Sequence, residues 1–214
     1  KQDTHTEDKI FPYITMDDFD LELIKRIRIV ASNRRLDRHP WEGLSDFELL
    51  KSSGLYKVDK ATNKEGFTLG AILLFGKDET IVNALPHHKT DLILRKVNLD
   101  RYDDREIVTT NLIDSYYKMM EFAKKHLNDP FYLEGDVRIS LRDKIFREAV
   151  ANSLIHREYS SAYVAKMIIE KSKVLFENAN IPYSYGELNP SNFTPYPKNP
   201  NIAKVFREIG FADE

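Results

Sequence analysis

The chain has 214 residues, 42% hydrophobic and 31% charged, with a formal net charge of −2 and no cysteine. This is a globular composition whose bulk charge cannot hold a polyanion, so any nucleic-acid surface has to be local. The missing cysteines exclude disulfides, thiolate zinc sites and cysteine nucleophiles and suit a reducing cytoplasm; no apolar run approaches the roughly 18 residues that span a bilayer. The opening KQDTHTEDK contains no signal-like apolar stretch, and with no initiator Met the chain reads as a piece of a longer protein.

Residues 1–15 read as a linker or tail. Asp17 to Ser32 is predicted as a helix, capped by Asp17 or Asp18, with Phe19, Leu23, Ile24, Ile27 and Val30 on one stripe. Ser45, with Glu48 three places on, opens a short second helix that Gly54 ends, and Trp41 anchors the two together. Tyr56 to Glu65 is polar and turn-rich. Leu69 to Phe75 is apolar throughout; Thr68 as cap and Gly76 as stop favour a helix. Thr80 to Leu85 and Asp91 to Asn98 read as strands, with His87-His88 in a surface loop between them, and Asp100 to Glu106 as a solvated turn. Thr109 to Leu127 repeats Leu112, Ile113, Tyr116, Met119, Met120 and Ala123 at helical spacing. Phe131 to Gly135 is loop or strand, and Ser140 caps the next helix. Tyr163 to Glu170 and Lys173 to Asn178 form a hairpin. Asn180 to Pro200, with prolines at 182, 190, 195, 197 and 200, is loop, and Asn201 to Ile209 is a last helix. This order predicts an α+β fold with helices packed on small antiparallel sheets, with a natural cut near residues 128–136 across which both halves can still pack into one body.

The stretch most able to carry chemistry is FREAVANSLIHREY, residues 146–159. It sets Glu148, Asn152 and His156 four apart, drifting only about 40° per step on a helix, so all three project from one face. Arg157 and Glu158 extend that stripe. A carboxylate and an amide oxygen one turn apart suit a hard cation such as Mg²⁺, directly or through water, and the carboxylate suits orienting an attacking water. A solvated helix face explains the same pattern. A second cluster, Lys25, Arg26, Arg28, Arg34, Arg35 and Arg38, suits phosphate contact, with Arg34, Arg35 and Arg38 as the candidate nucleic-acid contacts; cations at a helix C-terminus explain it equally. No GxxxxGK[ST], GxSxG, HExxH or EF-hand loop is present.

FREAVANSLIHREY (146–159) and PKNPNIAKVFREIGF (197–211), with LGAILLFGKD (69–78) and TNLIDSYYKMMEFAKKHL (110–127), resemble blocks of bacterial transcriptional regulators often labelled RecG-related. That resemblance covers about residues 10–214. It implies a DNA-binding domain of the AlbA-like, divergent AAA type upstream of this chain. Residues 16–130 would then be an α+β region, and residues 131–214 a GHKL-like (HATPase) module, truncated at its end. In GHKL ATPases an ExxxN box on the first helix supplies a water-activating glutamate and a Mg²⁺-ligating asparagine. By position, Glu148 is implied as the base, Asn152 as the Mg²⁺ ligand, and Asn152, His156, Lys198 and Asn199 as ATP-binding. Where that superfamily carries an aspartate and glycines this chain reads ENANIPY (177–183), with no glycine before Gly186. A backbone without glycine cannot approach a base or phosphate as closely, so the implied module is degenerate. The resemblance implies a cytoplasmic regulator that meets DNA mainly through its upstream domain and pairs as a homodimer. Any turnover would be a weak Mg-dependent ATPase activity, not a helicase motor. The alternative is a non-catalytic scaffold or dimerisation domain that binds no nucleotide.

Overall fold

The computed structural model describes residues 5–97, 100–129, 131–134, 137–181 and 197–213. A 3-10 turn at Thr6–Asp8 leads into strand β1 (Ile10–Phe11). Helix α1 (Leu21–Asn33) starts later than predicted: Asp20 caps it, its Oδ1 accepting the Leu23 N–H at 3.0 Å. Asp18 is instead bound into an earlier 3-10 turn, accepting the Thr15 N–H at 2.7 Å. Helix α2 (Asp46–Ser52) opens with the expected reciprocal Ser45–Glu48 box. Gly54 follows at φ +79°, a left-handed position that costs glycine nothing.

Strands β2 (Tyr56–Asp59) and β3 (Lys64–Thr68) form an antiparallel hairpin where the sequence reads as a polar turn. The turn chemistry is real but confined to its tip, where Asp59 accepts from the Ala61 N–H and the Thr62 hydroxyl. The hairpin's apolar side rests on Tyr56 and Phe67, whose rings meet each other and Phe47 edge-on. The partner ring comes from α2, so the segment alone carries too weak an alternation to announce a strand. β1 pairs with the other edge of β3, Ile10 opposite Thr68 and Phe11 opposite Phe67. The opening segment is therefore part of the fold from Thr6 onward rather than a linker or tail.

Helix α3 (Leu69–Phe75) is buried at all seven positions and capped by the Thr68 hydroxyl. A helix buried on every side has no polar stripe, which is why only its caps identify it. Helix α4 (Asp78–Ala84) stands where Thr80 to Leu85 reads as a strand. The β-branched run Thr80-Ile81-Val82 favours a strand locally. Asp78 and Glu79 favour a helix N-terminus, and Ile81 packs into the core while the Thr80 hydroxyl donates to the Asp18 carbonyl at 2.8 Å.

Next come β4 (Thr90–Arg95), β5 (Asp104–Val108), α5 (Leu112–His126), β6 (Phe131–Glu134), β7 (Val137–Ser140), α6 (Leu141–Ile155), β8 (Ala165–Glu170), β9 (Val174–Glu177) and α7 (Pro200–Glu208). The larger sheet runs β5-β4-β8-β9, with β4 parallel to β8 and both outer pairs antiparallel. The α+β class holds, and this sheet is mixed rather than wholly antiparallel. The β8–β9 hairpin forms as expected. β5 begins inside the expected solvated turn because Arg105 clamps Asp91 with two nitrogens, at 2.8 and 2.7 Å. β4 lies before residue 130 and β8 after it, α5 packs on α6, and one core runs from Phe11 to Phe211. Most of the expected proline loop, residues 182–196, lies outside the described residues. Among the described residues no helix is long and apolar enough to cross a membrane.

Candidate functional site

Helix α6 begins at Ser140, whose Oγ accepts the Asp143 N–H at 3.0 Å. Val150, Ala151, Leu154 and Ile155 bury its inner face. Glu148, Asn152 and His156 lie on the outer face, all exposed. Among the described residues none of these three side chains makes a hydrogen bond or ion pair. Partial burial of the His156 ring lowers its pKa. A free carboxylate and a free amide oxygen one turn apart fit a water-rich Mg²⁺, an ion that keeps much of its hydration and takes few protein ligands.

Arg157 and Glu158 do not extend this stripe; with Tyr159 they turn inward and are buried. The helix ends at His156, so the next residues leave its periodicity. Arg157 Nη1 donates to the Thr90 hydroxyl at 2.9 Å, while its Nε and Nη2 find no partner among the described residues. Burial lowers the Arg157 pKa. Glu158 accepts from the Thr6 hydroxyl at 2.8 Å and from the Ser160 hydroxyl at 2.7 Å, and faces Lys198 Nζ at 3.3 Å. Burial pushes its pKa up, and these bonds outweigh burial and hold it low. The Tyr159 hydroxyl donates to the Leu154 carbonyl at 2.7 Å.

Two of the residues implied as ATP-binding belong to this buried joint. Asn199 is fully buried, and its amide donates to the carbonyls of Ile155 at 2.7 Å and Arg157 at 2.8 Å. It thus satisfies carbonyls that the end of α6 leaves unpaired. Lys198 is held by Glu158 and by the Ile181 carbonyl at 2.5 Å. Neither is free to meet a phosphate, because both serve to lock the second motif onto the first. Asn178 adds a further tie, its amide donating to the Ser153 carbonyl at 2.6 Å.

Two acid–base groups in this joint were not legible as such. Glu7 is fully buried and accepts the N–H groups of Asn201 and Ile202, at 2.7 and 3.0 Å, at the start of α7. Burial raises its pKa to about 7, against the pull of those two bonds. His88, read as surface loop, is buried, with Nε2 2.9 Å from the Thr110 carbonyl, and burial lowers its pKa to about 4. His87 Nε2 lies 3.1 Å from the Tyr159 carbonyl. Among the described residues no group of three His, Asp or Glu is placed to hold a metal.

The predicted nucleic-acid residues divide. Arg34 and Arg35, at the end of α1, line a hollow of about 600 Å³ with Lys204, Arg207, Glu208, Ala212 and Asp213 from α7 and its exit. Arg38 stands apart, its Nε 3.4 Å from Glu42. Lys204 and Arg207 were visible in the sequence as an i, i+3 pair on the last helix, but nothing there placed them beside Arg34.

A family model described as a domain of unknown function (DUF8451) matches residues 1–91. No curated protein matches the chain. The crystal structure of the DIP2311 protein from Corynebacterium diphtheriae is similar to it, with a TM-score of 0.67 at 16% identity, over 98% of this chain and 40% of that one. The likeness is one of fold, and this chain spans well under half the length of that neighbour.

Proposed function

We propose that this chain is part of a bacterial-type transcriptional regulator in which the outer face of α6 senses a magnesium nucleotide, most simply ATP. The observation that carries this reading is the Glu148–Asn152 pair: exposed, one turn apart, and without partners among the described residues. Around it, polar groups such as Glu158, Lys198 and Asn199 are each committed to another part of the chain. The order of the two motifs, with a strand pair between them, supports the same reading through the family resemblance. Glu148 and Asn152 would hold the hydrated Mg²⁺, which in turn neutralises nucleotide charge.

With Lys198 and Asn199 spent on structure, and no glycine between β9 and Gly186, the phosphates meet few donors from the described residues. The nucleotide therefore acts as an effector and is not turned over; no helicase motor is involved. DNA is contacted mainly by a domain upstream, and two copies would match a two-fold operator. Calorimetric titration with Mg-ATP tests this reading. Heat at millimolar nucleotide that disappears in Asn152→Ala is the expected result. No heat at all, or an Asn152→Ala protein that binds as well as the parent, would leave only a scaffold.

A further inference from the structure

We infer that the hollow between the end of α1 and α7 is a phosphate-backbone contact surface for double-stranded nucleic acid, belonging to this chain itself. It rests on the regulator reading only for biological context; the chemistry is independent of the α6 face. Four cations line the hollow, Arg34, Arg35, Lys204 and Arg207, against two carboxylates, Glu208 and Asp213. Both carboxylates are already engaged. Glu208 takes Arg35 at 3.2 Å and His39 Nε2 at 2.9 Å, and Asp213 takes Arg147 at 2.9 Å. Arg34, Lys204 and Arg207 have no carboxylate partner among the described residues; Lys204 reaches only the Ser52 carbonyl, at 3.2 Å.

Cations near a helix C-terminus are favoured by the dipole whether or not a ligand comes. Here, however, two helices far apart in sequence bring theirs to one hollow, and an anion bound there would relieve the repulsion among cations that lack a carboxylate partner among the described residues. The Arg34 guanidinium lies close over Gly210, at φ +78°, in space that a Cβ there would enter. The lining offers one apolar residue, Ala212, and no aromatic platform on which a base could stack. A base would find no ring there to stack on, which suits contact with a chain of phosphates followed without regard to sequence.

The test is fluorescence anisotropy of a labelled DNA duplex at low salt, with the Lys204→Glu/Arg207→Glu double variant. Both side chains are exposed, so thermal melts should match the parent. Binding is expected to weaken at least tenfold, and the log–log salt dependence to flatten by about 2, at roughly 0.9 per lost phosphate contact. Asn152→Ala should bind the duplex like the parent, so this result and the nucleotide titration fail separately. Unchanged duplex affinity in the double variant would overturn the inference. So would binding to phosphatidylserine vesicles without duplex binding, or full competition by inorganic phosphate at low millimolar concentration, which would mark a single-anion site.

Discussion

The two ends of α6 divide one motif between two tasks. Toward its middle, Glu148 and Asn152 stand exposed and unpartnered among the described residues. Just past its end, Arg157, Glu158 and Tyr159 are buried and bound to Thr90, Thr6 and Leu154. All five lie within one string of mixed polar and apolar residues, yet only the first pair is available to a ligand. The buried set holds the fold: Asn199 reaches in from the second motif to finish α6, and Glu7 reaches in from the opening segment to start α7. One continuous string can thus bury its polar residues at one end and leave them exposed at the other, and the end of the helix divides the two.

The sharpest way to break this contrast is Asn199→Ala. It removes a donor from two buried carbonyls and is expected to cost about 2–5 kcal/mol, since each unsatisfied buried group costs on the order of 1–3. A urea unfolding curve measures it, and a midpoint unchanged from the parent would mean the joint carries no structural weight.

The pH dependence of stability tests the same joint next. Glu7 has its pKa raised from 4.5 to about 7, so it holds its proton more tightly folded than unfolded. Its contribution is full below pH 4.5 and is lost as pH rises to about 7. His88, lowered from 6.5 to about 4, has the opposite sign. Its contribution is present above pH 6.5 and is lost as pH falls toward 4. Each effect is on the order of 3 kcal/mol, so the parent should show little net slope between them. Glu7→Gln uncovers the His88 slope, with melting temperature rising from pH 4 to 6.5. His88→Gln uncovers the Glu7 slope, falling from pH 4.5 to 7. Parallel pH profiles for the two variants would show that these groups do not oppose one another.

The smallest effect belongs to the exposed face. Glu148→Ala and Asn152→Ala should each change stability by no more than about 0.5 kcal/mol, because neither side chain has a partner to lose among the described residues. A loss as large as that of Asn199→Ala in the same urea assay would erase the contrast and make the outer face structural as well.

Local signals were readable where the interaction itself is local. The Ser45–Glu48 box, the Thr68 and Ser140 caps, the stripe of α5 and the β8–β9 hairpin involve residues a few positions apart, and each formed. Thr80 to Leu85 was misread because β-branched residues favour a strand until Ile81 meets a core supplied by other elements. The β2–β3 hairpin was missed because the ring that covers it comes from Phe47. The candidate site followed the same rule. Helical spacing alone put Glu148, Asn152 and His156 on one face, but could not say that Lys198 and Asn199 were already taken.

By itself the sequence determined the caps of α2, α3 and α6, the stripe of α5, and that an acid and an amide share a helix face, because caps and periodicity act over one or two turns of chain; the helical state of Asp78–Ala84 and the start of α1 needed the rest of the fold. The tertiary structure decided which polar groups are hidden and which converge. Glu7 meets Asn201 across 194 residues and Arg35 meets Glu208 across 173. Whether a charge is buried, paired or left facing a hollow depends on neighbours that only the folded chain brings within reach.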